Sequence, residues 1–330
     1  MLMKIWPKET HLKFMNLRMA GTLLSVVLLT ASVFFLATRG LNFGVDFAGG
    51  TAMEINATET VNEGTVRAAI PFSADVNAAV GTDARRIVVV KFGEAPEALL
   101  GPEFQALTTA EKAERASGAT NELVVRSLVE KLGIDPGTDL LKNDTVGPKV
   151  SKELFRDGIT ALVVALILML AYIWYRFEWQ FSIGAVAALA HDVIITLGVF
   201  SFLQLEFNLT TIAALLTIIG YSMNDTVVVF DRVREERRKY KKMPDRDVID
   251  LALNSTLSRT LLTSGTTLLA LLAIFFLGGP VLRGMSFALI WGIVIGTYSS
   301  IFIASSIVLS LGMDLTQKTV DDTPGFQGVG

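Results

Sequence analysis

Long apolar runs alternate with polar stretches along this chain, and the runs share one length class. They cover residues 18–38, the stretch between Asp157 and Arg176, 181–203, 207–230, the stretch between Arg259 and Arg283, and 284–312. Each supplies the roughly 20 residues a helix needs to cross about 30 Å of hydrocarbon. The pattern predicts six membrane spans. Between the first and second spans the pattern changes. Residues 43–56 (FGVDFAGGTAMEIN) read as a strand, and so do Val76–Val80 and the alternating, β-branched Arg86–Phe92. Thr60 followed by Glu63 has the spacing of a capping box, ahead of a short helix through Ile70. Asn121–Leu132 reads as a second helix and 139–146 as a last strand. The order β-α-β-β-α-β predicts a ferredoxin-like split unit. Residues 94–120, polar with Gly, Pro and Ala, read as an insertion or flexible loop.

Composition agrees with a membrane protein that carries one sizeable soluble insert. The 330 residues are 51% hydrophobic and 18% charged, with mean hydropathy +0.51. There are no cysteines, which excludes disulfides and thiolate metal sites. The net charge of −3 matters less than its distribution. Lys4, Lys8, Lys13 and Arg18 precede the first apolar run. A signal peptide has this layout. The run is long enough to span, however, and ends in Thr38-Arg39-Gly40 without a small-residue cleavage pattern, so it reads as an uncleaved first span.

Basic residues in short loops set the orientation. The N-terminal tail and the stretch 231–258 (DRVREERRKYKKMPDRD and onward) are basic, whereas the loops near QLEFN and LGGPVLRG are nearly neutral. Both termini are therefore expected in the cytoplasm and residues 39–156 in the periplasm. The expected organisation is a tail and first span (1–38), a periplasmic α+β domain (39–156), a five-helix membrane part (157–313) with a cytoplasmic loop (231–258), and a cytoplasmic tail (314–330). The acids Glu235, Glu236, Asp245, Asp247 and Asp250 dilute the basic loop. Positive-inside anchoring explains it better than a specific site for anionic lipid.

The candidate chemistry lies inside the apolar runs. His191 and Asp192 fall mid-way along the third span, and Asn224 and Asp225 in the inner half of the fourth. Arg259 opens the fifth, with Thr263 and Thr266/Thr267 following on one helical face. A charge at the bilayer centre costs about 2.5–3.5 kcal/mol on insertion scales, so such residues face a bundle interior and mark ion or substrate paths. Antiparallel fourth and fifth spans bring Asp225 and Arg259 to the same end. A buried carboxylate with an intermittent arginine partner can carry a proton. Blander roles are open for every group. Asp225 and Arg259 can form a structural ion pair, Asp192 can hold His191 or a backbone group, and the threonines can bond their own i−4 carbonyls. The Gly-x-x-x-Gly at 292–296 reads as helix packing.

Six strings occur in order along the chain. They are GVDFAGGT (44–51), DTVGPKVSKEL (144–154), AHDV (190–193), GYSMNDTVVVFDRVRE (220–235), NSTLSRTLLTSGTTLLA (254–270) and GTYSSIFIAS (296–305). Together they resemble the SecD–SecF family of membrane proteins in its SecF branch, over nearly the whole chain. The resemblance implies half of a resistance-nodulation-division (RND) type transporter, a six-helix bundle completed by SecD. It implies a subunit that uses the proton-motive force to help preproteins through SecYEG, with YajC as a further partner. It assigns Asp225 and Arg259 as the membrane acid and arginine, and His191 and Asp192 to a supporting role. Gly49-Gly50 with Asp46 sits where the outer domain joins the first span. Paired glycines allow a bend or close approach there, predicting a hinge or strand-docking role.

Other classes remain to be weighed. A proton-coupled exporter of small molecules or lipids shares the superfamily, but usually has two outer domains. An intramembrane protease with Asp192 and Asp225 as a dyad lacks the sequence context. A structural scaffold for the translocon predicts that Asp225 is dispensable. No phosphate-binding loop and no metal-ligand cluster is visible, with His11 and His191 the only histidines. No enzyme activity, cofactor, metal or nucleic-acid partner is expected, and the partners are SecD, SecYEG, YajC, the exported chain and membrane lipids.

Overall fold

The computed structural model describes residues 10–80 and 86–313. The expected tail 314–330 and the basic residues Lys4 and Lys8 lie outside the described residues. The first span is α1 (Arg18–Arg39). A short strand β1 (Asn42–Phe43) and one helical turn, α2 (Val45–Ala48), lead through Gly49 into β2 (Gly50–Asn56). Then follow α3 (Glu63–Ala69), β3 (Asp75–Val80), β4 (Arg86–Phe92), α4 (Pro102–Gln105), α5 (Thr109–Leu132) and β5 (Leu140–Val146). Strands β2 to β5 form one antiparallel sheet in the order β3-β4-β2-β5. With α3 and α5 packed together, this is the split β-α-β arrangement that the element order predicts. Alternate residues of β2 and β4, Met53, Ile55, Val88 and Val90, meet Val66, Val124 and Leu128 of the helices in a dry core.

Three local expectations are corrected. The strand expected over 43–56 is broken by the helical turn Val45–Ala48 and resumes at Gly50. The cap of α3 is Asn62, not Thr60. The Asn62 side chain accepts from Gly64 N and Thr65 N, and Thr65 Oγ1 accepts in return from Asn62 N. Asn outranks Thr as a cap, and Glu63 is used elsewhere, accepting from Ala78 N of β3. Residues 94–120 are not a loop. They hold a 3-10 turn at Glu97–Leu99, α4 and the first half of α5. Thr108 and Glu111 form a capping box that starts α5. The Ala-rich TAEKAERASGA that follows has high helix propensity. Ala95, Leu100, Phe104 and Ala116 close a small core of their own.

The membrane part continues with α6 (Pro148–Arg176), α7 (Trp179–Leu203), the two-residue β6 (Glu206–Phe207), α8 (Leu209–Lys239) and α9 (Asp245–Leu277). α10 (Gly279–Ser299) and α11 (Ser305–Leu311) are joined by a π-helical turn, Ser300–Ala304, and together make the last span. Among the described residues, six helices are long and apolar enough to cross a membrane. The stretch 231–258 holds little loop. α8 runs on to Lys239 and α9 begins at Asp245, both as charged helix. Arg232 pairs with Glu235 and Glu236, Lys239 with Glu235, and Arg237 with Asp245. The Arg232 and Lys239 pairs, at i,i+3 and i,i+4 spacing, sustain helix where hydropathy has ended, and Arg237–Asp245 ties α8 to the start of α9.

α7 and α8 form the inside of the bundle, with more than half of their apolar windows buried. α8 packs on α6, α7, α9 and α10, and α1 lies along α7. Glycines make these crossings close. A Cβ on Gly198 would strike Ser32 of α1, and one on Gly292 would strike Ile218 of α8. A Cβ on Gly296 would sit tightly, at 3.0 Å, against Ser222, so the Gly-x-x-x-Gly spacing is a packing seam. The outer face of α9 stays bare, with Leu262, Leu269, Phe276 and Leu277 exposed.

Candidate functional site

α7 carries His191 and Asp192 into the centre of the bundle, where they are 3% and 1% exposed. Asp192 Oδ2 accepts from Ser222 Oγ of α8 at 2.6 Å and from Ser299 Oγ of α10 at 2.8 Å. Its Oδ1 lies 2.9 Å from His191 Nδ1. His191 Nε2 reaches Ser25 Oγ of α1 at 3.1 Å, and Ser25 meets Tyr298 Oη of α10 at 2.9 Å. Tyr298 in turn donates to Gly21 O at 2.5 Å. One buried network thus links four spans through a single acid. The π-helical turn begins at the residue after Ser299, a helix irregularity of the kind frequent at functional sites.

Each donor to Asp192 compensates for water the carboxylate has lost. Ser299→Ala is expected to destabilise the bundle by about 1–3 kcal/mol, the cost of leaving a buried polar group short of a partner. Thermal unfolding in detergent checks this.

Asp225 differs in its surroundings. It lies one turn beyond Ser222 on α8 and is 3% exposed. Its Oδ2 is buried with no hydrogen-bond partner among the described residues. Arg259 is carried by α9, which packs on α8, yet no ion pair joins it to Asp225 within 4.0 Å among the described residues. Arg259 and Asn224 lie on the exposed side of the bundle. The structure therefore leaves a buried acid poised beside an arginine without locking the pair. The threonine stripe is less polar than its composition implies. Thr263, Thr266 and Thr267 return their hydroxyls to the carbonyls of Arg259, Leu262 and Thr263. Two hydroxyls that follow Arg259 make interhelical bonds: Ser264 with Thr297 at 3.0 Å, and Thr267, which accepts from Tyr221 Oη at 3.4 Å.

The glycine pair sits in a docked joint. β1 runs parallel to β6, with Asn42 opposite Glu206 and Phe43 opposite Phe207. Asp46 Oδ2 accepts from Leu209 N at 2.9 Å, taking a free amide at the start of α8. Phe43, Phe47, Phe155 and Phe207 pack edge to face around it. Lys91 on β4 pairs with Glu206, just ahead of α8. The sheet and the joint thus both hold the start of the helix that carries Asp225.

Comparison with known proteins agrees with this layout. Residues 125–314 match the family model for the C-terminal part of SecD/SecF protein export membrane proteins. Residues 34–61 match the SecD/SecF GG motif, which contains Gly49 and Gly50. The chain belongs to the SecD/SecF family. It is 42% identical to the protein translocase subunit SecF of Rhodobacter capsulatus, over 98% of this chain and 96% of that relative. It is 43% identical to that of Rhodothermus marinus, over 92% and 94%. Among solved structures it is similar to SecDF of Thermus thermophilus, described as a translocon-associated membrane protein, with TM-score 0.74 and 34% identity. That match covers 93% of this chain but 39% of the SecDF chain. A second SecDF structure, in a super-membrane-facing form, gives TM-score 0.65 at 35% identity. This family member is a membrane protein of the RND-like fold.

Sequence reasoning found the acids, the histidine and the arginine because charge stands out in an apolar run. It passed over Ser25, Ser222, Tyr298 and Ser299 as network members. Tyr298 and Ser299 lie within GTYSSIFIAS and Ser222 within GYSMND, yet a hydroxyl in a helix carries no signal of its partner. Ser25 has no local signal at all.

Proposed function

We propose that this chain is the SecF-type subunit of a proton-driven export device. It pairs with a SecD-type half in the bacterial cytoplasmic membrane and works beside SecYEG, with YajC in the same assembly, to complete translocation of unfolded preproteins. The observation that carries this reading is Asp225, a buried acid with an unpartnered oxygen beside an unlocked Arg259. In a member of a protein-export family, that arrangement is best read as a proton-responsive pair. The bare, apolar face of α9 supports a second bundle as the missing half.

The coupling follows from connectivity. Protonation of Asp225 removes its attraction to Arg259 and frees α8 to shift against α9. The start of α8 is held by Asp46 and, through Glu206, by Lys91 of the sheet. A shift of the helix is thereby delivered to the α+β domain. The basic residues near α1 and at 232–246 support a cytoplasmic side for both, which leaves the α+β domain outside to hold the emerging chain.

A proton-coupled exporter of small molecules or lipids is the second reading. It would use the cavity of about 740 Å³ between the open face of the sheet and the outer ends of the spans, lined by Glu54, Lys91, Phe275 and Arg283. The full-length similarity to SecF subunits favours protein export. The test is reconstitution with a SecD partner and SecYEG, following late-stage export with and without a proton gradient. Export that responds to the gradient only when this subunit is present supports the reading; indifference to the gradient overturns it in favour of a scaffold.

A further inference from the structure

The network around His191 contains more hydrogen bonds than its neutral groups have protons. Four contacts run in series: Gly21 O to Tyr298 Oη, Tyr298 to Ser25 Oγ, Ser25 to His191 Nε2, and His191 Nδ1 to Asp192 Oδ1. Each needs one proton between its two atoms. Tyrosine, serine and neutral histidine supply one apiece, three in all. The direction is fixed from one end. A backbone carbonyl only accepts, so the Tyr298 hydroxyl proton points at Gly21 O. Ser25 must then donate to Tyr298, which leaves its oxygen as an acceptor, so His191 Nε2 carries a proton. The contact to Asp192 at 2.9 Å needs a fourth proton.

We infer that the His191–Asp192 pair is a second proton-binding site, holding one proton beyond the neutral-histidine, ionised-aspartate count, with Ser25 and Tyr298 as its positioning residues. The proton sits on Nδ1 or on Oδ1. Transfer between them converts imidazolium and carboxylate into neutral imidazole and carboxylic acid, so the pair is neutral overall either way. A neutral pair is the form that burial at 3% and 1% exposure favours. Ser222 donates to the other oxygen, as does Ser299, whose one proton also has Gly296 O within reach at 3.1 Å, and both stabilise the carboxylate form. Few other charges face the pair. α1 carries no titratable group between Arg18 and Arg39, α10 brings Tyr298, and α8 brings Asp225 one turn from Ser222.

Removal of the proton has a structural consequence. With Nδ1–H donating to the carboxylate, Nε2 becomes an acceptor and Ser25 turns to donate to it. Tyr298 must then give its proton either to Ser25 or to Gly21, and the other contact loses its hydrogen bond. One link between α1 and α10 breaks, so proton occupancy of the pair sets how firmly α1 is held in the bundle. This deepens the proton-coupling reading above and rests on it for its role in export, though not for the proton count.

The chain has two histidines, and His11 is exposed, so a His11→Gln background isolates His191 for ¹⁵N solid-state NMR of the full chain in lipid bilayers. The expected spectrum at neutral pH has a protonated Nε2 and an Nδ1 bonded through a proton to the carboxylate. Tyr298→Phe removes one proton and two contacts, so two protons then serve two contacts. The expected result is a switch of His191 to the neutral Nδ1–H tautomer with bare Nε2. Ser25→Ala is expected to give the same switch and serves if Tyr298→Phe does not fold. A bare Nε2 in the unsubstituted network, or an unchanged His191 spectrum in both variants, overturns the inference. Gradient-dependent export tests the functional reading separately, since a protonated Nε2 with gradient-indifferent export would leave the proton site standing without its role.

Discussion

Asp225→Asn is expected to reduce export in the presence of a proton gradient to the level seen without one, while the subunit still assembles with its SecD partner. The substitution keeps the size and shape of the side chain and removes its ability to titrate. Little native bonding is lost, because Asp225 Oδ2 has no hydrogen-bond partner to lose. An amide at this site is also uncharged, so burial next to Arg259 costs less than burial of a carboxylate. Folding and assembly should therefore survive, and gradient-driven work should not. Asp225→Glu, which keeps the titratable group on a longer stem, is expected to restore part of the response. The measurement is late-stage export in reconstituted vesicles, with copurification of the partner as the assembly control. Full gradient-dependent export by Asp225→Asn would make the acid and Arg259 a structural feature. Loss of copurification would instead make Asp225 an interface residue.

Asp225 could be singled out from sequence because a carboxylate in an apolar run is conspicuous, and its cost demands a reason. The same logic exposed His191, Asp192 and Arg259. It offered His191 as a partner of Asp192, as the structure has it, but not Ser222 and Ser299, which lie 30 and 107 residues away along the chain. Hydroxyls in a helix can always satisfy themselves on the preceding turn, as Thr263 and Thr266 do. Composition therefore cannot distinguish a serine that crosses to another helix from one that does not. The spans were legible from their length, and β4 from its β-branched run, which alternates in burial from Val88 to Phe92. The start of α9 was not, because Asp245–Ser258 is held as helix by packing of Val248, Ile249, Ala252 and Leu253 in the core, within a polar stretch. β1 and β6, two residues each, carry no pattern, and their pairing is set by the joint they build.

That joint is where the second large effect is expected. Gly50 has φ of +116°, a conformation L side chains rarely adopt, and a Cβ there would run into the carbonyl of Phe92 on β4. Gly49, at φ +75°, is strained for other residues too, but its nearest neighbours lie 3.7 Å from a Cβ. The two glycines are therefore not equivalent. Gly49→Ala has backbone strain alone, about 1–3 kcal/mol. Gly50→Val adds the clash and forces apart β2 and β4 at the centre of the sheet, beside the first β2–β5 pair, Gly50 with Val146. Its expected cost is about 3 kcal/mol or more, with strain alone accounting for 1–3. Thermal unfolding of the full chain, followed by circular dichroism, separates the two substitutions. Equal, small effects would mean the segment relaxes freely and is no fixed point of the fold. A large effect confined to Gly50 would identify it as the point where the sheet is clamped. Bending during export would then fall on Gly49 and on the bond between Asp46 and the start of α8. Gly49→Ala should accordingly weaken export more than its small loss of stability predicts, because it stiffens the one position of the pair with room to turn.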